Sequence, residues 1–175
     1  METRRIFFAL WPDDKVRKAI IDTAGKATHA NSKGRLMRGG NLHVTLHFIG
    51  RVSDEKLKCL NQAAQTLRFE PFELMLNRYG HFHAARIFWM GCLSVPEPLI
   101  RLHAHLGSAL TICDYQPEIR AYTPHVTLLR KCKNPEVLEE FKPIYWQVNS
   151  FALVESLPTD EGVEYRVIHD YPALP

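Results

Sequence analysis

Residues 42–49 read LHVTLHFI, and Gly50 ends the run. Apolar and polar residues alternate along it, which is typical of a β-strand with one buried face. Because residues two apart point to the same face of a strand, His43 and Thr45 should point one way and Val44 the other. We therefore predict a strand that presents an imidazole and a hydroxyl on its polar face.

The tetrapeptide HVTL returns at residues 125–128, at the start of a second predicted strand over residues 125–130. There His125 and Thr127 repeat the arrangement. A single His-x-Thr is usually an ordinary pair of strand residues, whereas two copies in corresponding strands are harder to attribute to chance. If an approximate twofold axis relates the halves of the chain, both pairs converge on one concave surface.

Two imidazoles and two hydroxyls suit the opening of a cyclic phosphate without a metal. One imidazole can take a proton from water while the other, kept protonated by a nearby phosphate, donates one. Hydroxyls donate to phosphoryl oxygens, and an arginine neutralises their charge. By sequence the two histidines are interchangeable as acid and base. The predicted residues are His43 and His125 for catalysis, with Thr45, Thr127 and Arg130 for phosphate binding.

The flanking sequence alternates between strand and helix signals. Consecutive strands late in each half favour antiparallel pairing over a parallel, doubly wound sheet. We therefore expect one α+β domain over residues 1–175, built from two similar lobes. The predicted strands cover residues 5–11, 42–49, 72–76, 86–90, 125–130, 146–154 and 163–168. Residues 80–83 are predicted as a connection between two of these strands, and Pro158, Asp160 and Gly162 as a turn between the last two. Helices are predicted to start near Asp13, after Ser53 and at Pro96.

Composition places the chain among ordinary globular proteins. It has 175 residues, 46% hydrophobic and 23% charged, with a formal net charge of +3. Every apolar run is too short for a membrane span or a signal peptide, so we expect an unexported, cytoplasmic protein. Basic residues cluster at 33–38 and 130–133, which suits an anionic ligand, although a solvated loop would look the same.

The cysteines and the other histidine pairs do not predict a metal centre. Cys59, Cys92, Cys113 and Cys132 are spread singly, so we expect reduced thiols. His81 and His83 would share a strand face, and a further hypothesis is that His81 or His83 borders the cleft and contacts RNA. His103 and His105 on a helix would point about 200° apart, which is poor chelation geometry.

Three segments give the chain a resemblance to a known family: RRIFFALWP at residues 4–12, NLHVTLHFIG at 41–50 and PHVTLLR at 124–130. They resemble the RNA 2′,3′-cyclic phosphodiesterases, historically called 2′-5′ RNA ligases, of the 2H phosphoesterase superfamily, which is defined by two His-x-Thr-x motifs. The similarity extends to Ser156, Gly162 and Tyr165. It implies a pseudo-twofold fold with antiparallel sheets lining a central cleft and helices outside.

The resemblance also implies an activity and a role for each site residue. His43 would protonate the leaving 3′ oxygen and His125 would activate water, giving a 2′-phosphate; the reverse reaction is 2′-5′ joining of RNA ends. Phe48 matches an aromatic position suited to stacking on a base. No cofactor, metal, membrane or obligate protein partner is implied, and we expect a monomer that acts on RNA ends or small cyclic nucleotides.

Two other functions remain open at the level of sequence. A binding module could hold RNA ends in the same cleft without turnover, although binding alone needs cations and aromatic rings rather than paired imidazoles. A relative with the same chemistry could act on another cyclic phosphate, such as an ADP-ribose derivative. Comparison of turnover across these substrates would separate the three hypotheses.

Overall fold

The computed structural model describes residues 3–31, 33–136 and 140–174. Groups of strands alternate with single α-helices along the described part of the chain. The elements are β1 (Arg4–Leu10), α1 (Asp14–Ala30), β2 (Arg35–Leu36), β3 (Val44–Val52), α2 (Asp54–Gln65), β4 (Phe72–Leu76), β5 (Arg78–Phe82), β6 (Ile87–Gly91), α3 (Glu97–Leu110), β7 (His125–Arg130), β8 (Ile144–Val148), β9 (Ser150–Thr159) and β10 (Gly162–Pro172).

The strands pair antiparallel throughout, as predicted. Within the described residues the larger sheet holds eight strands, along the path β10-β9-β1-β3-β7-β6-β5 with β2 beside β7, while β4 and β8 form a separate pair. In the larger sheet, β3 and β7 meet through the pair Val44 and Val126. The two strands that carry the repeated tetrapeptide are therefore neighbours at the middle of the sheet path.

The helices begin close to the predicted starts. The Asp13 carboxylate accepts a hydrogen bond of 2.8 Å from the Val16 amide at the start of α1, and the Ser53 hydroxyl accepts one of 3.3 Å from Lys56 at the start of α2. Pro96 precedes α3. Each helix buries the side that its apolar residues define, such as Ile20 in α1. No helix in the described part of the chain combines the length and apolar character needed to cross a bilayer.

The prediction that residues 80–83 form a simple connection is wrong, because β5 runs through them and pairs with β6. Within this strand, Gly80 allows a close approach of an aromatic ring. A Cβ at Gly80 would lie 2.1 Å from the Trp89 ring, which covers this strand. The glycine is required by packing against a tryptophan and not by a turn.

The single strand predicted over residues 146–154 is two strands. The chain leaves β8, which pairs with β4, and enters β9, which pairs with β1 and β10. Strand-forming residues such as Trp146, Val148 and Phe151 flank Asn149 on both sides, and the sequence was therefore interpreted as one strand. The predicted turn is also shorter than expected: Pro158 lies within β9, opposite Val163 of β10.

The expectation of reduced cysteines is wrong for one pair. Cys59 of α2 and Cys113, just after α3, form a disulfide with their Cα atoms 5.9 Å apart. Because 54 residues separate them, only the packing of α2 beside α3 brings them together, and spacing in the sequence could not reveal it. Cys92 and Cys132 are free and buried.

Candidate active site

The strand register brings the two His-x-Thr pairs together. Val44 of β3 faces Val126 of β7 in an antiparallel ladder. One step along that register in each direction sets His43 beside Thr127 and Thr45 beside His125. Because these residues share a face of the pleated sheet, both imidazoles and both hydroxyls lie on the same side of the strands.

The backbone fixes the orientation of the His43 ring. Its Nδ1 lies 2.7 Å from the Asn41 carbonyl oxygen, and its Nε2 lies 3.0 Å from the Thr45 hydroxyl. A carbonyl oxygen can only accept a hydrogen bond, so Nδ1 carries a proton and donates it. In the neutral ring, Nε2 therefore holds a lone pair and accepts from Thr45. That nitrogen is the one available for proton transfer.

Aromatic side chains enclose His43. Trp11 stacks on the imidazole with ring centres 5.7 Å apart, and the rings of Phe7 and Tyr165 lie 4.8 and 5.3 Å away. Burial in this cage lowers the pKa of His43 to about 4, although the hydrogen bond to the Asn41 carbonyl raises it; the nearby positive charge of Arg130 adds to the lowering. Without a bound anion, His43 is neutral at pH 7.

Asn41 connects His43 to the far end of the sheet. Its side chain is buried, donates to the Val163 carbonyl at 2.8 Å and accepts from the Tyr165 amide at 3.1 Å. The carbonyl that orients His43 is therefore held against β10. Sequence reasoning missed this role, although Asn41 opens the segment NLHVTLHFIG; no local pattern indicates that its amide would pair with a strand more than 120 residues away.

His125 is held by the same contact as His43. Its Nδ1 lies 2.8 Å from the carbonyl oxygen of Thr123, again two residues earlier, so Nδ1 donates and Nε2 is left for chemistry. The Phe82 ring packs against the His125 ring in an edge-to-face arrangement, with ring centres 4.8 Å apart, and the centre of the Trp89 ring lies 5.9 Å away. Burial lowers the pKa of His125, the Thr123 carbonyl opposes this, and the charges of Arg120 and Arg130 lower it further.

A cavity of about 570 Å³, here called the arginine cavity, opens beside His43. Positive charge dominates its described lining. Glu161 is the one carboxylate there, and it pairs with Arg38 at 2.7 Å. Arg35 and Arg38 belong to the basic cluster noted in the sequence, whereas Arg5 was not singled out. The charged and site residues of this cavity are Arg5, Arg35, Arg38, Arg130, Glu161, Asn41, His43, Thr45, Phe48 and Tyr165.

A second cavity, of about 660 Å³ and here called the histidine cavity, opens on the side of His125. Thr45 and Phe48 line both cavities, so the two meet at the motif of β3. The predicted contact of His81 and His83 with the cleft is supported in geometry, since both line this cavity. Its histidines are His47, His81, His83, His103 and His125, and its charged pair is Glu118 with Arg120.

The remaining predicted site residues differ in how they meet the cavities. Phe48 has 49% of its surface exposed, and the Arg5 guanidinium lies 5.1 Å from its ring centre. Arg130 is the last residue of β7 and lines the arginine cavity. In the strand register it lies opposite Arg35 of β2. Thr127 lies opposite Trp89 of β6 in the strand register, and it is not among the described lining residues of either cavity. Its proximity to the site rests on the strand register alone.

His47 directly follows the first copy of the repeat, and its structural position was not indicated by the sequence. It is buried, lies 2.8 Å from the His103 carbonyl through Nε2 and stacks on the His103 ring at 4.3 Å. His103 stacks in turn on Tyr122 at 3.8 Å, and the Tyr122 hydroxyl donates to the Thr45 carbonyl at 2.9 Å. This column packs α3 and the loop before β7 against the first motif.

Comparison with known proteins agrees with this geometry. A family model described as the 2′-5′ RNA ligase superfamily matches residues 12–160. An Escherichia coli protein named RNA 2′,3′-cyclic phosphodiesterase is 37% identical over 130 residues, which covers 74% of this chain and 73% of that protein. A protein of the same name from Archaeoglobus fulgidus is 28% identical over 172 residues, or 93% of this chain and 96% of that one.

Solved structures extend the similarity to the whole fold. A crystal structure described as a phosphoesterase superposes with a TM-score of 0.91 at 30% identity, covering 99% of this chain and 100% of that chain. Escherichia coli LigT complexed with 3′-AMP gives a TM-score of 0.90 at 29% identity, with the same coverage of each chain. The predicted α+β fold of the 2H phosphoesterases is confirmed, and the chain belongs to the 2′-5′ RNA ligase superfamily.

Proposed function

We propose that this protein hydrolyses 2′,3′-cyclic phosphate ends of RNA to 2′-phosphates by acid–base catalysis with two histidines. The observation that carries the proposal is the pair of imidazoles at the starts of neighbouring strands, each oriented by the carbonyl two residues earlier so that Nε2 is the nitrogen available for proton transfer. The names of its relatives support the choice of substrate. RNA ends and small cyclic nucleotides are the proposed partners; a monomeric state and a cytoplasmic location stay predictions.

Charge supports a direction for the reaction. The arginine cavity on the side of His43 suits the nucleotide and any phosphates upstream of it. In an in-line displacement, water attacks phosphorus opposite the leaving 3′ oxygen, which belongs to the ribose. The ribose side is then the His43 side, so His43 protonates the 3′ oxygen and His125 takes the proton of water.

The hydroxyls and Arg130 complete the proposed site. Thr45, which lies 3.0 Å from His43 Nε2, and Thr127 donate to the non-bridging oxygens, and Arg130 balances the charge that gathers on them. The exposed ring of Phe48 is available to stack on the terminal base. These steps use the side chains of this chain alone, without a metal or cofactor.

The proton states follow from the lowered pKa values. Both histidines are neutral in the free protein at pH 7, which suits the base but not the acid. A bound phosphodiester adds a negative charge beside His43 and raises its pKa toward the protonated form. The same groups support 2′-5′ joining when a 5′ hydroxyl takes the place of water as the nucleophile: the bond from phosphorus to O5′ forms, the bond to the 3′ oxygen breaks, and His43 protonates that oxygen.

The product of 2′,3′-cyclic AMP in the presence of EDTA tests the proposal. We expect 2′-AMP, identified against a 3′-AMP standard by chromatography, and no turnover by the His43→Ala and His125→Ala variants. Binding of the nucleotide without any product would indicate a module that only holds RNA ends. If an ADP-ribose derivative that carries a cyclic phosphate were turned over much faster than RNA ends, that derivative would be assigned as the substrate in place of RNA.

A further inference from the structure

We propose that Tyr122 is a positioning residue for His125, because its hydroxyl fixes the loop before β7 to β3. This inference rests on the proposed function, in which His125 takes the proton of water. The Tyr122 hydroxyl donates to the Thr45 carbonyl at 2.9 Å. The next residue, Thr123, carries the carbonyl that accepts from His125 Nδ1 at 2.8 Å. Two consecutive loop residues therefore contact both motifs.

A single ladder pair joins the two strands that carry the motifs. Within the described residues, the register between β3 and β7 consists of Val44 opposite Val126. On its other side β3 is held by β1, where Ala9 lies opposite Thr45. Residues 114–124, in contrast, contain no helix or strand. The Thr45 carbonyl therefore belongs to an anchored strand, and the tyrosine hydroxyl holds the loop to that strand.

Two histidine rings hold the ring of Tyr122 in place. Tyr122 stacks on His103 with ring centres 3.8 Å apart, and His103 stacks on His47 at 4.3 Å. Since His47 donates through Nε2 to the His103 carbonyl at 2.8 Å, its Nδ1 accepts from the Tyr115 hydroxyl at 3.1 Å. Three nearly parallel rings thus connect β3, α3 and the loop, and their packing directs the Tyr122 hydroxyl at Thr45.

A glycine within α3 allows the helix to lie close to this column of rings. Glycine is unfavourable inside a helix relative to alanine, so Gly107 calls for a packing reason. A Cβ at Gly107 would lie 2.9 Å from Cε1 of His47 and 3.3 Å from Cγ of Pro117 in the loop. The helix backbone therefore packs directly against the column and the loop, which leaves the rings little room to move.

The Tyr122 hydroxyl is a fixed donor and takes no part in proton transfer. Its partner is a carbonyl oxygen, which can only accept a hydrogen bond. Burial raises the pKa of Tyr122, and nearby Cys92 adds to this, so the hydroxyl keeps its proton. Its effect on the reaction is exerted through His125, whose Nε2 must lie within hydrogen-bond distance of the attacking water.

Tyr122→Phe tests the proposal, because it removes the hydroxyl and keeps the stacked ring. With 2′,3′-cyclic AMP we expect kcat to fall about tenfold, since a displaced catalytic group loses rate steeply. KM should stay within about twofold of wild type, as for a loss confined to the transition state. The matched control is Tyr145→Phe, an exposed tyrosine of β8 outside both described linings, which should keep wild-type kcat.

Three results would decide against the role of Tyr122. Thermal melting first verifies that the variant folds. A kcat of folded Tyr122→Phe within about twofold of wild type would overturn the positioning role, and a raised KM with unchanged kcat would assign Tyr122 to substrate binding instead. Wild-type protein that hydrolyses no cyclic phosphate would overturn the proposed function itself.

His103 tests whether the stacked rings hold Tyr122. His103→Ala removes the ring beneath Tyr122 and should lower kcat, whereas His103→Phe restores a ring without titratable nitrogens and should recover most of the loss. Unchanged kcat in His103→Ala, or no recovery in folded His103→Phe, would contradict the column.

An analogue of 2′,3′-cyclic AMP with sulfur as the leaving 3′ atom shows which histidine Tyr122 acts through. A thiolate leaves without a proton, so the analogue relieves a defect on the acid side alone. We expect Tyr122→Phe to lose as much kcat with the analogue as with 2′,3′-cyclic AMP. Asn41→Ala, which disturbs the anchor of His43, should recover with it. Recovery of Tyr122→Phe with the analogue would overturn the assignment to His125.

Discussion

His43 and His125 are held by the same backbone contact, from Nδ1 to the carbonyl two residues earlier, and they differ in their surroundings. The carbonyl that orients His43 belongs to buried Asn41, which is fixed to β10, whereas the one that orients His125 belongs to exposed Thr123 in a loop. Beside His43 lies the arginine cavity, and beside His125 lies a cavity whose charged pair is self-neutralised. A repeated motif thus gives two equivalent rings, and the elements around them make the two half-sites unequal.

The equivalence of the two rings predicts the largest effect. His43→Ala and His125→Ala should each lower kcat for 2′,3′-cyclic AMP by about 10²–10⁴-fold, because each removes one partner of an acid–base pair. The control is His105→Ala, an exposed histidine on α3 outside both linings, which should keep wild-type activity. Steady-state kinetics decides; either active-site variant with more than a tenth of wild-type kcat would contradict the pairing.

The different anchoring of the two carbonyls predicts a smaller, unequal effect. Asn41→Ala removes a buried amide that holds β10, so we expect a loss of about 1–3 kcal/mol in the free energy of unfolding. We also expect about a tenfold lower kcat, since misorientation of the proton donor weakens its contribution. Thr123→Ala keeps the backbone carbonyl and should change both quantities far less. Urea unfolding and steady-state kinetics measure both quantities, and equal behaviour of the two variants would refute the anchoring role.

The different charge of the two cavities predicts a salt effect. Arg35→Gln, in the arginine cavity, should raise KM for an RNA oligonucleotide with a cyclic end and reduce the slope of log affinity against log salt by about 0.7, the value for one phosphate contact in single strands. Arg120→Gln, in the histidine cavity, should leave that slope near the wild-type value. Titration of RNA binding between low and high salt measures this slope. A larger change in slope for Arg120→Gln than for Arg35→Gln would contradict the assignment of the RNA phosphates to the arginine cavity.

The lowered pKa values of both rings predict a shift of the pH optimum. Activity falls at low pH as the base becomes protonated and falls at high pH as the acid loses its proton. Because burial lowers the pKa of both histidines, kcat/KM should be bell-shaped with a maximum below about pH 6.5, the ordinary imidazole value. The profile is measured with 2′,3′-cyclic AMP in EDTA; a maximum above pH 7 would contradict the environments described here.

The sequence predicted the parts of the fold that depend on local patterns. The alternation around His43 and His125, the helix starts near Asp13 and after Ser53, and the antiparallel pairing were predicted correctly because each depends on local sequence patterns. The strand through Gly80 was predicted as a connection, since the Trp89 ring that requires this glycine lies on another strand. The boundary at Asn149 and the Cys59–Cys113 disulfide likewise depend on tertiary packing.

The site shows the same division. The two His-x-Thr pairs were predictable because strand alternation fixes which residues share a face. Three other features were not predictable because each depends on a distant element. Asn41 is anchored by β10, Trp11 reaches His43 from the residue that follows β1, and the loop before β7 contributes the charged pair of the histidine cavity. The placement of the two pairs on one face was thus predictable from the motif, while the inequality of their surroundings required the packed structure.

The acid and base roles are tested most directly by a 2′,3′-cyclic nucleotide in which sulfur replaces the leaving 3′ oxygen. A thiolate leaves without a proton, so the analogue relieves the need for an acid but not for a base. We predict that His43→Ala hydrolyses the analogue within about tenfold of wild type, while His125→Ala stays at least about 100-fold slower. Rescue of His125→Ala instead, or equal loss in both variants, would contradict the account of two unequal half-sites.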